Sequence, residues 1–181
     1  MKFKLHLCLF LGGGLFISLG DRVHIVCGVL TQDDQSFFGQ AWWVVPVFGF
    51  VSVGIYHLFR RLRSFCGEER AAFSARHLAT SSAAFLLAYA ATGPLADWGL
   101  WLALLLLGWW ILRVTLWPVR RSVLILAFLL AVLGPLGEVL QVARGVFQYT
   151  DPDWGPMPSW LFAVYLHGAL VVPQAEAALE R

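Results

Sequence analysis

Long apolar runs separated by short polar segments dominate the chain. A helix needs about 20 mainly apolar residues to cross the hydrocarbon core of a membrane. Six runs approach that length, with approximate bounds of 5–26, 41–59, 78–95, 98–116, 123–142 and 159–172. The pattern therefore predicts an all-α membrane protein, a bundle of six transmembrane helices in a single domain covering residues 1–181.

The first run permits a second interpretation. Lys2 and Lys4 precede it, and Ser18 and Gly20 are small enough for a signal-peptide cleavage site. The apolar pattern resumes at residues 23–30, which favours a retained first helix. Within it, the glycines at positions 12–14 indicate close packing against another helix.

Composition supports a membrane protein. The chain has 181 residues, 59% of them hydrophobic and only 13% charged, whereas soluble domains average about 25% charged residues. A net charge of +2 gives no support for a nucleic-acid partner. The three cysteines lack any paired or Cys/His spacing, so neither a disulfide framework, a metal site nor a cofactor is predicted.

The charged residues are distributed unequally between the two ends of the predicted helices. One end collects Lys2, Lys4, Arg60, Arg61, Arg63, Arg70, Arg76, Arg113, Arg120, Arg121 and Arg181, and the other collects Asp33, Asp34, Asp97, Asp151 and Asp153. Cytoplasmic loops of membrane proteins are enriched in Lys and Arg. Both termini are therefore predicted to be cytoplasmic, in the plasma membrane of a prokaryote or the endoplasmic reticulum of a eukaryote.

Polar residues recur every three or four positions on the fifth predicted helix: Glu138, Gln141, Arg144 and Gln148. At about 100° per residue they share one helix face. Because a charge at mid-bilayer costs at least about 2.5–3.5 kcal/mol, this stripe is predicted to face the bundle interior. It could be a structural hydrogen-bonded seam, one wall of a lipid pocket, or a proton or ion path.

Two further polar groups interrupt the apolar pattern. Asp21, Arg22 and His24 lie near the end of the first helix, either as an interfacial cluster or as an intramembrane polar site. Residues 145–160 form the longest polar stretch between apolar runs. They are predicted to end the fifth helix and turn into the sixth, with Asp153 in the turn.

Motifs typical of enzymes are missing from the sequence. It contains no Gly-x-Ser-x-Gly, no His-Glu-x-x-His and no phosphate-binding glycine loop. Its five histidines have no metal-ligand spacing. A non-enzymatic function is therefore predicted.

Two sequence elements resemble those of one known family. Residues 41–46 read Ala-Trp-Trp-Val-Val-Pro, and residues 145–153 read Gly-Val-Phe-Gln-Tyr-Thr-Asp-Pro-Asp, followed by Ser-Trp-Leu at 159–161. Both resemble the Insig (insulin-induced gene) proteins, as does the Trp109-Trp110 pair. The resemblance covers roughly residues 33–172, and its most specific part is Gln-Tyr-Thr-x-Pro-Asp.

The resemblance implies a six-helix bundle with cytosolic termini and a lipid pocket open to the bilayer. Animal Insig proteins bind oxysterols, retain the escort protein Scap in the endoplasmic reticulum and deliver HMG-CoA reductase for degradation. Asp153 matches the aspartate that matters there for partner binding. Asp151 replaces a serine of the family, Val45 replaces a proline, and Glu138 and Arg144 add ionisable groups. These departures favour a prokaryotic or divergent member whose ligand is diglyceride-like rather than a sterol.

The leading hypothesis is thus an Insig-like protein that binds a neutral or amphipathic lipid, with regulation of another membrane protein through Asp153 as a second expected role. The predicted lipid contacts are Trp42, Trp43, Pro46, Glu138, Gln141, Arg144, Gln148 and Tyr149. One alternative is an intramembrane enzyme that acts on isoprenoid or carotenoid-like lipids through Glu138, Arg144 and Asp153. Another is a transporter that uses the polar stripe as a substrate path.

Overall fold

A computed structural model describes residues 2–70, 75–117 and 119–179. The helices are α1 Lys2–Val26, α2 Val44–Phe65, α3 Ala75–Thr92, α4 Leu100–Leu116, α5 Arg121–Ala143, α6 Leu161–Ala169 and α7 Val172–Leu179. Two short strands, β1 Leu30–Thr31 and β2 Gln148–Tyr149, lie in the connections, and a 3-10 turn Ala96–Trp98 precedes α4.

The predicted bundle of six transmembrane helices is confirmed. Within the described residues, three stretches are long and apolar enough to cross a membrane: Phe3–Val26, Arg121–Ala143 and Leu161–Leu179. Leu100–Leu116 is a shorter apolar helix, and α2 and α3 complete the six. The sixth crossing consists of α6 and α7 together.

The predicted end of the sixth span at residue 172 is wrong. Pro173 occupies the first turn of α7, and the chain remains helical to Leu179. Proline is tolerated there because first-turn amides have no intrahelical acceptor. The break between α6 and α7 falls at Leu170 and Val171.

The second span also extends beyond its predicted end at residue 59. Helix α2 continues to Phe65 and includes Arg60, Arg61 and Arg63. Long arginine side chains can keep an apolar stem in the bundle and a charged head in water, so they do not end a membrane helix.

Glycines bring α1 and α2 into close contact. A Cβ atom added at Gly14 would lie 2.6 Å from the Val45 carbonyl oxygen and 3.1 Å from the Gly49 amide nitrogen. A Cβ at Gly12 would meet nothing within 4 Å. Close packing is therefore confirmed for Gly14 but not for Gly12.

The two strands join the end of α1 to the end of α5. Leu30 pairs with Tyr149 and Thr31 with Gln148, antiparallel. The Thr150 amide donates to the Val29 carbonyl oxygen at 2.9 Å. This connection, formed by residues 28–31 and 148–150, is called the clasp below.

Contacts at the other end of the bundle bring the arginine-rich helix ends together. The Arg63 guanidinium donates to the Glu176 carboxylate at 2.9 Å, and Arg70 donates to the Glu176 carbonyl oxygen at 3.0 Å. The Ser122 hydroxyl donates to the Glu68 carboxylate at 2.5 Å. Arg181 and the side chain of Lys2, both assigned to this end, lie outside the described residues.

Helix α6 forms the centre of the core. It contacts α3, α4, α5 and α7, and Trp160, Ala163 and Ala169 in and beside it are completely buried. The small side chains of Ala163 and Ala169 let the neighbouring helices approach closely.

Candidate functional site

A largely apolar cavity of about 410 Å³ lies between α1, α2, α5 and the α6–α7 segment. This volume is within the range of about 300–1,000 Å³ typical of small-molecule sites. Most of its walls are aliphatic and aromatic, including Phe16, Ile17, Phe48, Ile55, Leu130 and Val164. We call it the main cavity.

Polar groups are concentrated toward the clasp end of the main cavity. Asp21 and Gln32 from the α1 side and Glu138 and Gln141 from α5 line it. Asp21 and Glu138 are close enough to interact electrostatically. This polar end places carboxyl and amide oxygens beside the apolar walls of the cavity.

Two phenols hold the Glu138 carboxylate. The Tyr165 hydroxyl donates to one carboxylate oxygen at 2.5 Å, and the Tyr149 hydroxyl donates to the other. Tyr165 reaches this position because Gly134 has no side chain: a Cβ there would overlap the Tyr165 ring. The sequence thus places a glycine one turn before Glu138, where the phenol needs room.

Cations are missing from the main cavity: among the described residues that line it, none is Lys, Arg or His. The polar end therefore presents mainly hydrogen-bond acceptors. Such a set complements a hydroxyl-bearing, uncharged headgroup and offers no described cation to an anionic one.

The structure brings three of the predicted lipid contacts into the cavity lining, Trp43, Glu138 and Gln141. Tyr149 is 7% exposed and lies behind Glu138 as its hydrogen-bond donor. Pro46 is half-buried but not part of the lining. Trp42 is 63% exposed.

The predicted helical stripe does not extend past Gln141. Helix α5 ends at Ala143, and Gly145 takes a positive φ of 71°. The Val146 amide donates to the Gln141 carbonyl oxygen and the Gly145 amide to that of Val142, the two bonds of a Schellman helix end. Arg144 and Gln148 are therefore exposed rather than inward-facing, and the glycine after Arg144 was the signal for this ending.

Asp153 organises the start of the sixth span. Its carboxylate accepts hydrogen bonds from the Ser159 amide at 2.5 Å and the Ser159 hydroxyl at 2.7 Å. It also lies against Gly99, where a Cβ would be 2.5 Å from its Oδ2. Asp153 is consequently a structural residue at the clasp end, whatever else it binds.

The three polar residues near the end of α1 have separate environments. Asp21 lines the main cavity. Arg22 donates to the Gly39 carbonyl oxygen at 3.0 Å. His24 is 1% exposed and forms a 2.6 Å hydrogen bond with the Thr92 hydroxyl. Of the three, Asp21 therefore fits the expectation of an intramembrane polar site, because it faces a cavity inside the bundle.

A buried network in α4 and α6 was missed from the sequence. Arg113 was assigned to the arginine-rich end, yet it is only 8% exposed. Its guanidinium donates to His167 Nδ1 at 3.0 Å and to the Ser81 hydroxyl at 3.1 Å. His167 Nε2 in turn donates to the Leu106 carbonyl oxygen at 3.0 Å. The position of Arg113 one turn inside α4 was the available signal.

Fold and cavity together define a multi-pass α-helical membrane protein with a largely apolar cavity inside its bundle. No family model matches the chain. It is 32% identical over 147 residues to the insulin-induced gene 1 protein of Bos taurus, an alignment covering 76% of this chain. The chain spans about half the length of this curated relative, 50%.

Two solved structures share the fold. A mycobacterial Insig homologue, MvINS from Mycobacterium vanbaalenii, superposes with a TM-score of 0.82 at 20% identity. A cross-linked trimer of an MvINS variant gives a TM-score of 0.85 at 18% identity. In both comparisons 98% of this chain and 96% of the other are covered. The chain is an Insig-like integral membrane protein.

Proposed function

We propose that this Insig-like protein binds a neutral or amphipathic lipid, diglyceride-like or sterol-like, in the main cavity. The observation that carries the proposal is the Glu138 carboxylate, held by Tyr149 and Tyr165 at the polar end of an otherwise apolar cavity. Exposing a carboxylate to such a cavity is costly unless a ligand or water pairs with it. A lipid hydroxyl would supply that donor.

The direct polar contacts of the proposed site are Asp21, Glu138 and Gln141, and Trp43 also lines the cavity. Trp42, Pro46, Arg144 and Gln148 lie outside the lining. They are excluded from the direct contacts we propose. The ligand's hydrocarbon part would contact the aliphatic walls, whose burial contributes about 25 cal/mol per Å² of apolar surface.

No observation favours the enzymatic alternative. Of its three proposed residues, only Glu138 lines the main cavity, while Arg144 is exposed and Asp153 is bonded to Ser159. The transporter alternative relied on a polar stripe longer than the one present. We therefore retain a non-enzymatic lipid-binding function.

Regulation of a partner membrane protein is the second part of the proposal and rests on the Insig resemblance. Asp153, at the clasp end, is its candidate contact. We also place both termini on the cytoplasmic side, because the arginine-rich helix ends follow the positive-inside rule.

Filling the main cavity tests lipid binding. Gly137 lines the cavity, and a Cβ there would meet nothing within 4 Å. Gly137→Leu should therefore insert a side chain into the cavity without straining α5, since leucine is a better helix former than glycine. Mass spectrometry of lipids from the gently extracted protein should show at least about tenfold less bound neutral lipid, a loss equivalent to about 1.4 kcal/mol.

Gly108→Leu is the matched control, because Gly108 is exposed on α4 and equally unobstructed. It should leave lipid retention unchanged. Equal lipid content in both variants would overturn the proposal, as would recovery of bulk phospholipid only.

The partner contact at Asp153 has its own test. Membrane proteins that co-purify with the wild-type protein should be lost from the Asp153→Asn variant. An identical set of co-purifying proteins would exclude Asp153 as the partner contact.

A further inference from the structure

A second cavity of about 660 Å³ lies at the arginine-rich end of the bundle. It is bounded by α2, α3, α4, the start of α5 and α7, and the α6–α7 segment contributes residues to both this cavity and the main cavity. Its charged lining consists of Arg63, Arg76, Arg113, Arg120 and Glu176. We call it the basic cavity.

The positive charge of the basic cavity is largely uncompensated. Glu176 is its only described carboxylate and already pairs with Arg63 at 2.9 Å. Within the part of the chain that the structure describes, no carboxylate forms an ion pair with Arg76, Arg113 or Arg120. Three guanidinium groups therefore line one concave site, and none of them has a carboxylate partner among the described residues.

Arg113 is the most informative of the three. It is 8% exposed, and its hydrogen-bond partners, the Ser81 hydroxyl and His167 Nδ1, are uncharged acceptors. Burying a charge without a counter-charge is costly. These partners fix the orientation of the guanidinium but do not neutralise it, so an anion in the cavity would be stabilised.

Arg63 adds an unoccupied donor. Its Nε atom is buried and has no hydrogen-bond partner among the described residues, although its Nη2 bonds to Glu176. Buried donors normally have a partner. A ligand with several acceptor oxygens could supply one here while also reaching the other guanidinium groups.

The remaining walls of the basic cavity are apolar and aromatic, including Phe59, Trp109, Trp117, Val123 and Leu170. The cavity thus combines cations with apolar surface, whereas the main cavity has described acidic residues and no described cation. Its ligand should carry negative charge on oxygen atoms and can have a hydrocarbon part.

We propose that the basic cavity is a binding site for a phosphate group. Guanidinium groups bind phosphate oxygens through paired, charge-assisted hydrogen bonds. Basic pockets between membrane helices suit the headgroups of anionic lipids. The phosphate comes either from such a headgroup or from a free phosphate ion, and the experiment distinguishes the two sources.

The test uses the full-length protein in neutral detergent. In the first titration the probe is phosphatidylglycerol and the comparison lipid is phosphatidylcholine. In the second the probe is sodium phosphate and the comparison salt is sodium chloride at equal ionic strength. Native mass spectrometry and thermal unfolding measure the binding. Arg76→Gln/Arg120→Gln removes two cations from the cavity, and the matched control Arg61→Gln/Arg121→Gln removes two exposed cations from the same end. None of the four arginines has a side-chain hydrogen bond among the described residues, so both variants should fold.

We expect Arg76→Gln/Arg120→Gln to weaken binding by about tenfold or more, because hydrogen bonds to charged groups are the strong ones. The control variant Arg61→Gln/Arg121→Gln should change the binding affinity by less than about twofold. Binding of phosphatidylglycerol alone identifies a lipid headgroup, and binding of sodium phosphate as well shows that a free ion suffices. The proposal would be overturned if neither phosphatidylglycerol nor phosphate bound. It would also be overturned if the two double variants bound the probes with equal affinity.

Discussion

Glu138 connects the sequence pattern most directly to the proposed function. Each of its carboxylate oxygens accepts one phenol hydrogen bond, from Tyr149 on β2 and Tyr165 on α6. The same residue lines the main cavity and lies close to Asp21. A single side chain thus joins three segments and defines the polar end of the cavity.

Removing this carboxylate should destabilise the protein. Glu138→Ala leaves the Tyr149 and Tyr165 hydroxyls without their acceptor, and each orphaned buried group costs about 1–3 kcal/mol. Glu138→Gln, which keeps one carbonyl oxygen, should lose less. Thermal unfolding in detergent measures the stability of both variants. Gln148→Ala is the control, because the Gln148 side chain is exposed. A Glu138→Ala variant as stable as the wild type would show that the two phenols find other acceptors.

Residue chemistry could be predicted where it depended on helix periodicity. Glu138 and Gln141 share the inward face of α5 as expected. Arg144 and Gln148 do not, because the helix ends between them and Gln141. The Arg113 network also escaped prediction, since Ser81 and His167 lie on other helices and only tertiary packing brings them together.

At the scale of elements, the contact between α1 and α2 depends on glycine. Gly14→Ala would place a Cβ 2.6 Å from the Val45 carbonyl oxygen, a backbone atom that cannot rotate away. Overpacking of this kind costs about 1–3 kcal/mol. Thermal unfolding should therefore show a lower midpoint for Gly14→Ala than for the wild type.

Gly12→Ala provides the comparison on the same helix. Gly12 faces open space, so alanine should be neutral or stabilising by up to about 1 kcal/mol through helix propensity. If the two variants had equal midpoints, α1 and α2 would not be in the close contact described.

Helix existence was predictable because membrane crossing imposes a length and an apolar composition on each segment. The residues at which the helices end were harder to predict. Pro173 and the arginines of α2 lie just beyond the predicted span ends at residues 172 and 59, yet a first-turn proline and a flexible arginine are compatible with a helix. The two-residue strands gave no pattern long enough to detect.

At the scale of the whole molecule, the clasp restricts how the bundle can open. Because hydrogen bonds join the ends of α1 and α5 there, we expect lipid to enter the main cavity elsewhere. Paired residues on antiparallel strands have Cα atoms about 4.5–5.5 Å apart, within the range a disulfide can bridge. Thr31 and Gln148 form such a pair.

A Thr31→Cys/Gln148→Cys disulfide, with the three free cysteines replaced, should stabilise the protein by about 2–4 kcal/mol. The rate of lipid exchange, measured with a fluorescent diglyceride, should differ by less than about twofold between the oxidised and the reduced protein. Exchange that stops on oxidation and resumes on reduction would show instead that the clasp opens to admit lipid.

The α6–α7 segment is a wall shared by both cavities. Val171, Val172 and Ala175 face the main cavity, whereas Leu170, Pro173, Gln174 and Glu176 face the basic cavity. Any ligand that shifts α7 within one cavity must reshape the other, and the resulting change in affinity is equal in both directions by thermodynamic linkage. The two ligand sites that we propose would therefore be coupled through the segment on either side of the break before Pro173.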